Sequence, residues 1–282
     1  MKIIRDLREM RAASRAAGAK RLTIGFVPTM GALHEGHLSL VRRARSTASL
    51  VVVSIFVNPL QFGPSEDFNQ YPRTLEADSA KLEAEGVDLV FAPSPAQMYP
   101  AGATTVVHVE GLSDRLDGAS RPGHFRGVST VVAKLFHIVQ PDYAVFGQKD
   151  AAQVAVLRRM VRDLNMAVEL IVAPIVREAD GLALSSRNVY LNPEQRRQAL
   201  VLHRTLNHVQ AVVHAGESRS AIIRSAALAV LVAEPAARLD YFEVVDPDSL
   251  EPVADVGHGA LVAVAAYFGA TRLIDNRLLP PD

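Results

Sequence analysis

The stretch Leu22-Thr23-Ile24-Gly25-Phe26-Val27-Pro28-Thr29-Met30-Gly31-Ala32-Leu33-His34-Glu35-Gly36-His37-Leu38-Ser39-Leu40 decides the fold. Leu22 to Val27 is an apolar run of strand length, and Pro28 and Gly31 end it. The apolar and basic pattern from Leu38 through Ala44 predicts a helix whose first turn begins near Gly36. A strand that breaks at glycine into a helix N-terminus presents backbone N–H groups and the positive end of the helix dipole to an anion. His34 and His37 stand three residues apart, so both imidazoles can face one ligand.

Three chemistries compete for this turn. The two histidines could simply cap the helix. They could bind a metal, but the zinc-protease helix carries His-Glu-x-x-His, whereas here the spacing is His-Glu-Gly-His, and no cysteine exists to complete a tetrahedral site. The third is a His-x-Gly-His signature, in which an imidazole donates to a phosphate oxygen during attack at the α-phosphorus of ATP and glycine admits the nucleotide to the backbone. Two histidines and a glycine within four positions favour the third.

Outward from the turn, strand and helix patterns alternate. Residues 3 to 17 carry Ile3, Ile4, Leu7 and Met10 at helical spacing, with Gly18 as the stop. Leu50 to Val57 is a continuous β-branched run, expected for a strand covered on both faces, and it ends in the turn-rich loop Asn58-Pro59-Leu60-Gln61-Phe62-Gly63-Pro64. Asn58 and Gln61 offer neutral amides suited to the hydroxyl and carboxylate of a small substrate, or act as plain turn formers. A helix over 73–85 and strands over 87–91 and 104–109 follow, then the basic loop Arg121-Pro122-Gly123-His124-Phe125-Arg126-Gly127 and a helix over 128–139. Arg121 and Arg126 could reach an anion from that loop.

Tyr143 to Phe146 repeats the opening design, breaking at Gly147-Gln148-Lys149-Asp150 into a helix over 151–164. Lys149 is placed to contact phosphate, and Gln153 lies on the helix's first turn. The Walker spacing is absent. After strands over 168–172 and 175–177, the loop Leu184-Ser185-Ser186-Arg187-Asn188 has the donor density of a phosphate clamp. Beyond Asn192-Pro193 the texture changes to helices over 194–215 and 218–233, followed by strands over 239–245, 260–266 and 271–275. The expected fold is α/β, a Rossmann-like doubly wound parallel sheet over residues 1–175, with a smaller C-terminal α+β lid domain over 176–282.

Composition excludes several classes. The chain has 282 residues, 49% hydrophobic and 21% charged, with formal net charge zero, so no whole-protein field draws nucleic acid or anionic membrane. Absence of cysteine rules out disulfides and thiolate catalysis and fits the cytoplasm. No apolar run approaches the roughly 20 residues a membrane-spanning helix needs.

Taken together, residues 28–37, 56–62, 121–127, 146–150 and 184–188 resemble the pantothenate synthetase (pantoate:β-alanine ligase) family, nucleotidyltransferase-like enzymes that share His-x-Gly-His with class I aminoacyl-tRNA synthetases. The likeness extends over nearly the whole chain. It implies a cytoplasmic homodimer that condenses (R)-pantoate with β-alanine, using ATP and Mg2+, through a pantoyl adenylate. Carried over residue by residue, it implies ATP binding by Met30, Gly31, Ala32, Leu33, His34, Glu35, Gly36 and His37, with His37 at the α-phosphate and His34 beside it. Gly147, Gln148, Lys149 and Asp150 would bind ribose and phosphates, Val176 the adenine, and Leu184, Ser185, Ser186 and Arg187 the triphosphate. Gln61 and Gln153 would hold pantoate, with Asn58 close by and Gln61 also near β-alanine. His34, His37, Lys149, Ser186 and Arg187 form the implied catalytic set; no magnesium ligand is singled out.

Two other readings stand beside it. A nucleotidyltransferase acting on a phosphate acceptor would favour Arg and Lys where this chain has Asn58, Gln61 and Gln153. An adenine-nucleotide sensor would not need so many phosphate donors. A tRNA synthetase is disfavoured by short length and neutral charge.

Overall fold

The computed structural model describes residues 1–64 and 66–281. The chain divides into two compact units, the first Met1–Gly147 with Val156–Pro174, the second Gln148–Ala155 with Ile175–Asp282.

The first unit holds six parallel strands, β1 (Lys2–Ile4), β2 (Ile24–Thr29), β3 (Leu50–Ile55), β4 (Leu89–Phe91), β5 (Tyr143–Gly147) and β6 (Glu169–Ala173), in the order β1-β4-β3-β2-β5-β6. Its helices are α1 (Leu7–Ala19), α2 (Glu35–Arg45), α3 (Leu75–Ala84), the short α4 (Pro95–Met98) and α5 (Asp117–Ser120), and α6 (His124–Val139); α7 (Ala151–Asp163) starts in the second unit. Successive residues of β2 face opposite sides of the sheet. Val27 clusters with Leu40, Val41 and Ala44 of α2, while Phe26 meets Phe136 of α6 edge-on at 6.3 Å, so helices cover both faces. Strand order reverses between β2 and β5, and the crevice beyond the carboxyl ends of such strands is where doubly wound sheets place ligands.

Several local expectations change. Ile3 and Ile4 belong to an edge strand paired with β4, and the helix starts only at Leu7, after the Asp6 carboxylate caps the N–H groups of Arg8 and Glu9. β2 runs on through Pro28, which is tolerated because the ladder to β5 has already ended at Phe26. Residues 104–109 form no strand: their backbone bonds to side chains, Val107 N–H to Thr130 Oγ1 at 2.9 Å and Val109 N–H to Ser113 Oγ at 3.3 Å. Residues 175–177 contribute one isolated bridge, Arg177 to Ala183.

The second unit adds α8 (Pro193–Gln198), α9 (Leu200–His214) and α10 (Ser220–Val232), then an antiparallel meander of β7 (Ala237–Val245), β8 (Ala260–Phe268) and β9 (Thr271–Leu279). The helix expected over 194–215 is split at buried Ala199, where the Leu202 N–H reaches the Ala199 carbonyl in a tighter turn. Phe242, Val244, Val262, Val264 and Phe268 pack with Leu202, Leu206 and Ile223 as this unit's own core. Among the described residues no helix is long and apolar enough to cross a membrane.

Candidate functional site

The candidate residues form two groups, one on each unit. On the first, the chain leaves β2 into a turn with positive φ at Gly31 (88°) and Ala32 (52°). A carboxylate holds that turn. Asp78 of α3 is fully buried and accepts from Ala32 N–H (2.9 Å), Leu33 N–H (2.8 Å) and Thr74 Oγ1 (3.0 Å), and Lys81 Nζ donates to the Leu33 carbonyl at 2.6 Å. The N–H groups of Ala32 and Leu33 are therefore engaged inside the protein. Gly31 leaves little room, because a Cβ there would lie 3.1 Å from Asp78 Oδ2.

His34 is the N-cap of α2, its Nδ1 accepting from the Gly36 N–H at 3.1 Å, while the His34 N–H donates to His37 Nδ1 at 3.3 Å. This reciprocal cap decides the chemistry of both rings. A neutral imidazole whose Nδ1 accepts carries its proton on Nε2, so each histidine presents an N–H donor from its far side. The ring centroids are 4.1 Å apart, which makes the pair one donor surface. Capping and catalysis, rival readings of the sequence, are compatible, because the cap uses only Nδ1 of each ring. Glu35 turns to the guanidinium of Arg42, which holds its carboxyl below the usual range.

Asn58 is 1% exposed, and every polar atom of its amide is used. Its Nδ2 donates to Gln61 Oε1 and to the Gly127 carbonyl, both at 3.1 Å, and its Oδ1 accepts from Tyr99 Oη (2.7 Å) and the Leu60 N–H (3.3 Å). Gln61 Nε2 lies 2.9 Å from Met30 Sδ, which ties this loop to the β2 turn. Arg121 donates to Glu66 through Nε (2.8 Å) and Nη2 (2.6 Å), so the anion contact expected of it is already made within the protein.

On the second unit, Gln148–Asp150 forms a 3₁₀ turn clamped by Asn276 of β9, a residue the sequence reading missed. Asn276 Nδ2 donates to the Gln148 carbonyl (2.9 Å) and the Lys149 carbonyl (2.8 Å), and its Oδ1 accepts from Gln148 Nε2 at 3.0 Å. Lys149 Nζ reaches the Leu184 carbonyl at 3.4 Å and stands 4.0 Å from the Asp150 carboxylate. Val176 and Leu184 face each other across a small hairpin, the Leu184 N–H donating to the Val176 carbonyl at 3.0 Å. Arg177 and the buried Asp275 pair bidentately at 2.6 and 2.9 Å beneath it. Ser185 caps the 3₁₀ turn Ser186–Tyr190, accepting from the Arg187 N–H at 3.2 Å. Asn188 ties that turn to Glu178 and to the Ala183 carbonyl. Gln153, half-buried on the first turn of α7, makes no side-chain hydrogen bond among the described residues, unlike Gln61.

Asp275 and Asn276 are adjacent in a mixed strand that also carries Thr271, Arg272 and Arg277, so their burial, one on each face, left no distinct trace in the sequence. Asp78 left none either, since one aspartate in a helix is ordinary.

Known proteins align with this chain throughout. The family model described as Pantoate-beta-alanine ligase matches residues 2–278. The pantothenate synthetase of Koribacter versatilis is 60% identical over 279 residues, covering 99% of this chain and 96% of that protein. That of Acidobacterium capsulatum is 67% identical over 257 residues, covering 91% and 86%. The crystal structure of pantothenate synthetase from Thermus thermophilus superposes over 100% of both chains with a TM-score of 0.94 at 52% identity. A pantoate-beta-alanine ligase from Francisella tularensis, complexed with beta-gamma ATP and beta-alanine, superposes with a TM-score of 0.75 at 33% identity, covering 99% and 97%.

Proposed function

The chain belongs to the pantoate-β-alanine ligase family, and from that premise we propose that it condenses (R)-pantoate with β-alanine in two steps, using ATP. A pantoate carboxylate oxygen attacks the α-phosphorus and pyrophosphate leaves. The β-alanine amine then attacks the acyl carbon of the pantoyl adenylate, and AMP leaves with that carboxylate oxygen. A carboxylate is a poor acylating agent, and adenylation supplies the leaving group, so no protein nucleophile is required.

The reciprocal His34–His37 cap carries this reading, because it fixes two neutral Nε2–H donors side by side at a helix N-terminus. Donors held in place before the reaction stabilise charge as it develops on phosphate oxygens. We assign Met30 to His37 to ATP, with His37 acting at the α-phosphate. Lys149, Ser186 and Arg187 are assigned to the phosphates, with Gly147 to Asp150 and Leu184 to Ser185 around them. Val176 is assigned to the adenine. Gln61 and Gln153 are assigned to pantoate, and saturated Asn58 serves by holding Gln61.

Mg2+ fits this donor set. Among the described residues no group of three histidine or acidic side chains could hold a metal by itself, and Mg2+ with nucleotides commonly takes one or two carboxylates plus phosphate oxygens and water. Asp150, half exposed beside Lys149, is the carboxylate that would hold it. When bound, Mg2+ neutralises charge on the phosphate oxygens. The family resemblance further supports a homodimer working in the cytoplasm.

The test is product analysis with ATP, Mg2+ and pantoate. AMP and pyrophosphate should accumulate on continued turnover only when β-alanine is added. AMP release that ignores β-alanine, or none with any amine, contradicts the assignment.

A further inference from the structure

Gln61 is held at both its side chain and its main chain, and these supports fix which end of its amide is presented. The chain of constraints begins at two backbone groups. The Gly127 carbonyl can only accept, so the Asn58 atom 3.1 Å from it is the NH2, and the Leu60 N–H can only donate, so the atom 3.3 Å from it is Oδ1. Asn58 therefore cannot flip. Its second N–H then points at Gln61, which must answer with Oε1, as it does at 3.1 Å. Tyr99 closes the far side, since its hydroxyl, 2.7 Å from Asn58 Oδ1, can only donate there. Burial raises the Tyr99 phenol well above its ordinary pKa, so the donor proton is retained. Lys134 Nζ sits 5.6 Å from the centre of the Tyr99 ring and Phe56 packs 6.2 Å away, so the ring is held as well.

The main chain of Gln61 is held independently. A guanidinium never accepts, so Arg121 Nη1 donates to His124 Nε2 at 3.0 Å; His124 Nδ1 then carries the proton and donates to the Gln61 carbonyl at 2.8 Å. Gly127 permits the arrangement, because a Cβ there would fall 2.2 Å from the Leu60 carbonyl oxygen. What remains of Gln61 is its NH2, now resting on the Met30 thioether, a weak acceptor that a substrate oxygen would outcompete.

We propose that Tyr99 and Asn58 are positioning residues that lock the Gln61 amide with its NH2 toward the substrate, so that Gln61 reads a hydrogen-bond acceptor, a carboxylate or carbonyl oxygen, and rejects a donor at that place. The inference rests on the assignment of Gln61 to pantoate and goes beyond it, because a freely turning amide would take either kind of group.

Steady-state kinetics on the full chain decide it. Gln61→Glu keeps the acceptor for Asn58 but replaces the presented donor with a charged acceptor, so KM for pantoate should rise more than about 100-fold, against roughly 10-fold for Gln61→Ala. Tyr99→Phe should raise KM for pantoate roughly 3- to 10-fold with kcat nearly kept, and should have no further effect in the Gln61→Ala background. A Gln61→Glu variant no worse than Gln61→Ala, or a Tyr99→Phe loss that persists undiminished without Gln61, overturns the proposal. A readout independent of activity separates this from the functional assignment. The Gln61 NH2 resonances, identified by their loss in Gln61→Ala, should show NOEs to the Met30 methyl group. NOEs to the Tyr99 ring and none to that methyl would overturn the orientation even if AMP forms. If pantoate yields no AMP, the functional assignment falls and these NOEs alone decide the orientation.

Discussion

The two groups of candidate residues are held in opposite ways. On the first unit the presented atoms are themselves anchored: both histidines through Nδ1, Gln61 through its oxygen and its carbonyl, and the β2 turn through Asp78. On the second unit the anchors lie in the frame beneath, at Asp275, Asn276 and Glu178. The amine of Lys149 is held by long contacts, 3.4 Å to the Leu184 carbonyl and 4.0 Å to the Asp150 carboxylate, and Val189 in the adjoining turn is 76% exposed. Rigid donors suit recognition and charge stabilisation, whereas loosely held ones suit a segment that closes over a ligand and reopens.

The largest effect should come from the frame of the second unit. Asp275→Ala leaves the mostly buried Arg177 guanidinium without its bidentate partner. Breaking such a pair costs about 3–5 kcal/mol, readable by chemical denaturation, and hydrogen exchange should rise in β7–β9 before β2–β5. A cost below about 1 kcal/mol would mean that the hairpin stands without this anchor.

On the first unit, substitution can separate the two ends of one ring. Asparagine is as good an N-cap as any residue, so His34→Asn should keep stability while losing the Nε2 donor and on the order of 10² to 10³ in kcat. His34→Ala should lose the same activity and about 1 kcal/mol of stability besides. If His34→Asn retains activity, the histidine is a cap and nothing more.

An intermediate effect tests whether the first unit tolerates loosening. Gly127→Ala forces a methyl against the backbone of Leu60 and Gln61, at an expected cost of about 1–3 kcal/mol and a raised KM for pantoate. An unchanged KM would show that the Gln61 support need not be tight.

The smallest effect concerns pH. Burial, aided by the charge of Arg177, lowers the pKa of His203, whose ring lies where a Cβ on Gly181 would sit and whose Nδ1 is buried without a partner among the described residues. The unfolded chain therefore binds more protons than the folded one between the lowered value and about 6.5. Stability gained from keeping this ring neutral is complete above that window and lost as pH falls through it. Denaturation midpoints across the window should fall toward acid less steeply in His203→Gln; identical slopes would remove His203 from the account.

Much of the architecture was legible because parallel strands buried on both faces are continuous apolar runs. The breaks from strand into helix after β2 and β5 were legible because glycine ends an apolar run at Gly31 and at Gly147, with His34 and His37 beside the first. Ile3 and Ile4 misled because two apolar residues fit a helix period and a short strand equally. Residues 104–109 misled because strand propensity says nothing about whether a neighbour is available. The anchors were out of reach for a different reason: Asp78 meets Ala32 across 46 positions and Asn276 meets Lys149 across 127, and neither pairing leaves a local pattern. Sequence spacing indicated which groups could meet phosphate, but not that Ala32 and Leu33 N–H were already occupied.

Positional isotope exchange in ATP tests the central claim most directly. With Mg2+ and pantoate but no β-alanine, label in the bridge between the α- and β-phosphorus should scramble into the non-bridging β-positions, because reversible adenylation frees pyrophosphate to rotate while the adenylate stays bound. An unscrambled bridge, with AMP still formed once β-alanine is added, would contradict adenylation as a step that precedes the amine.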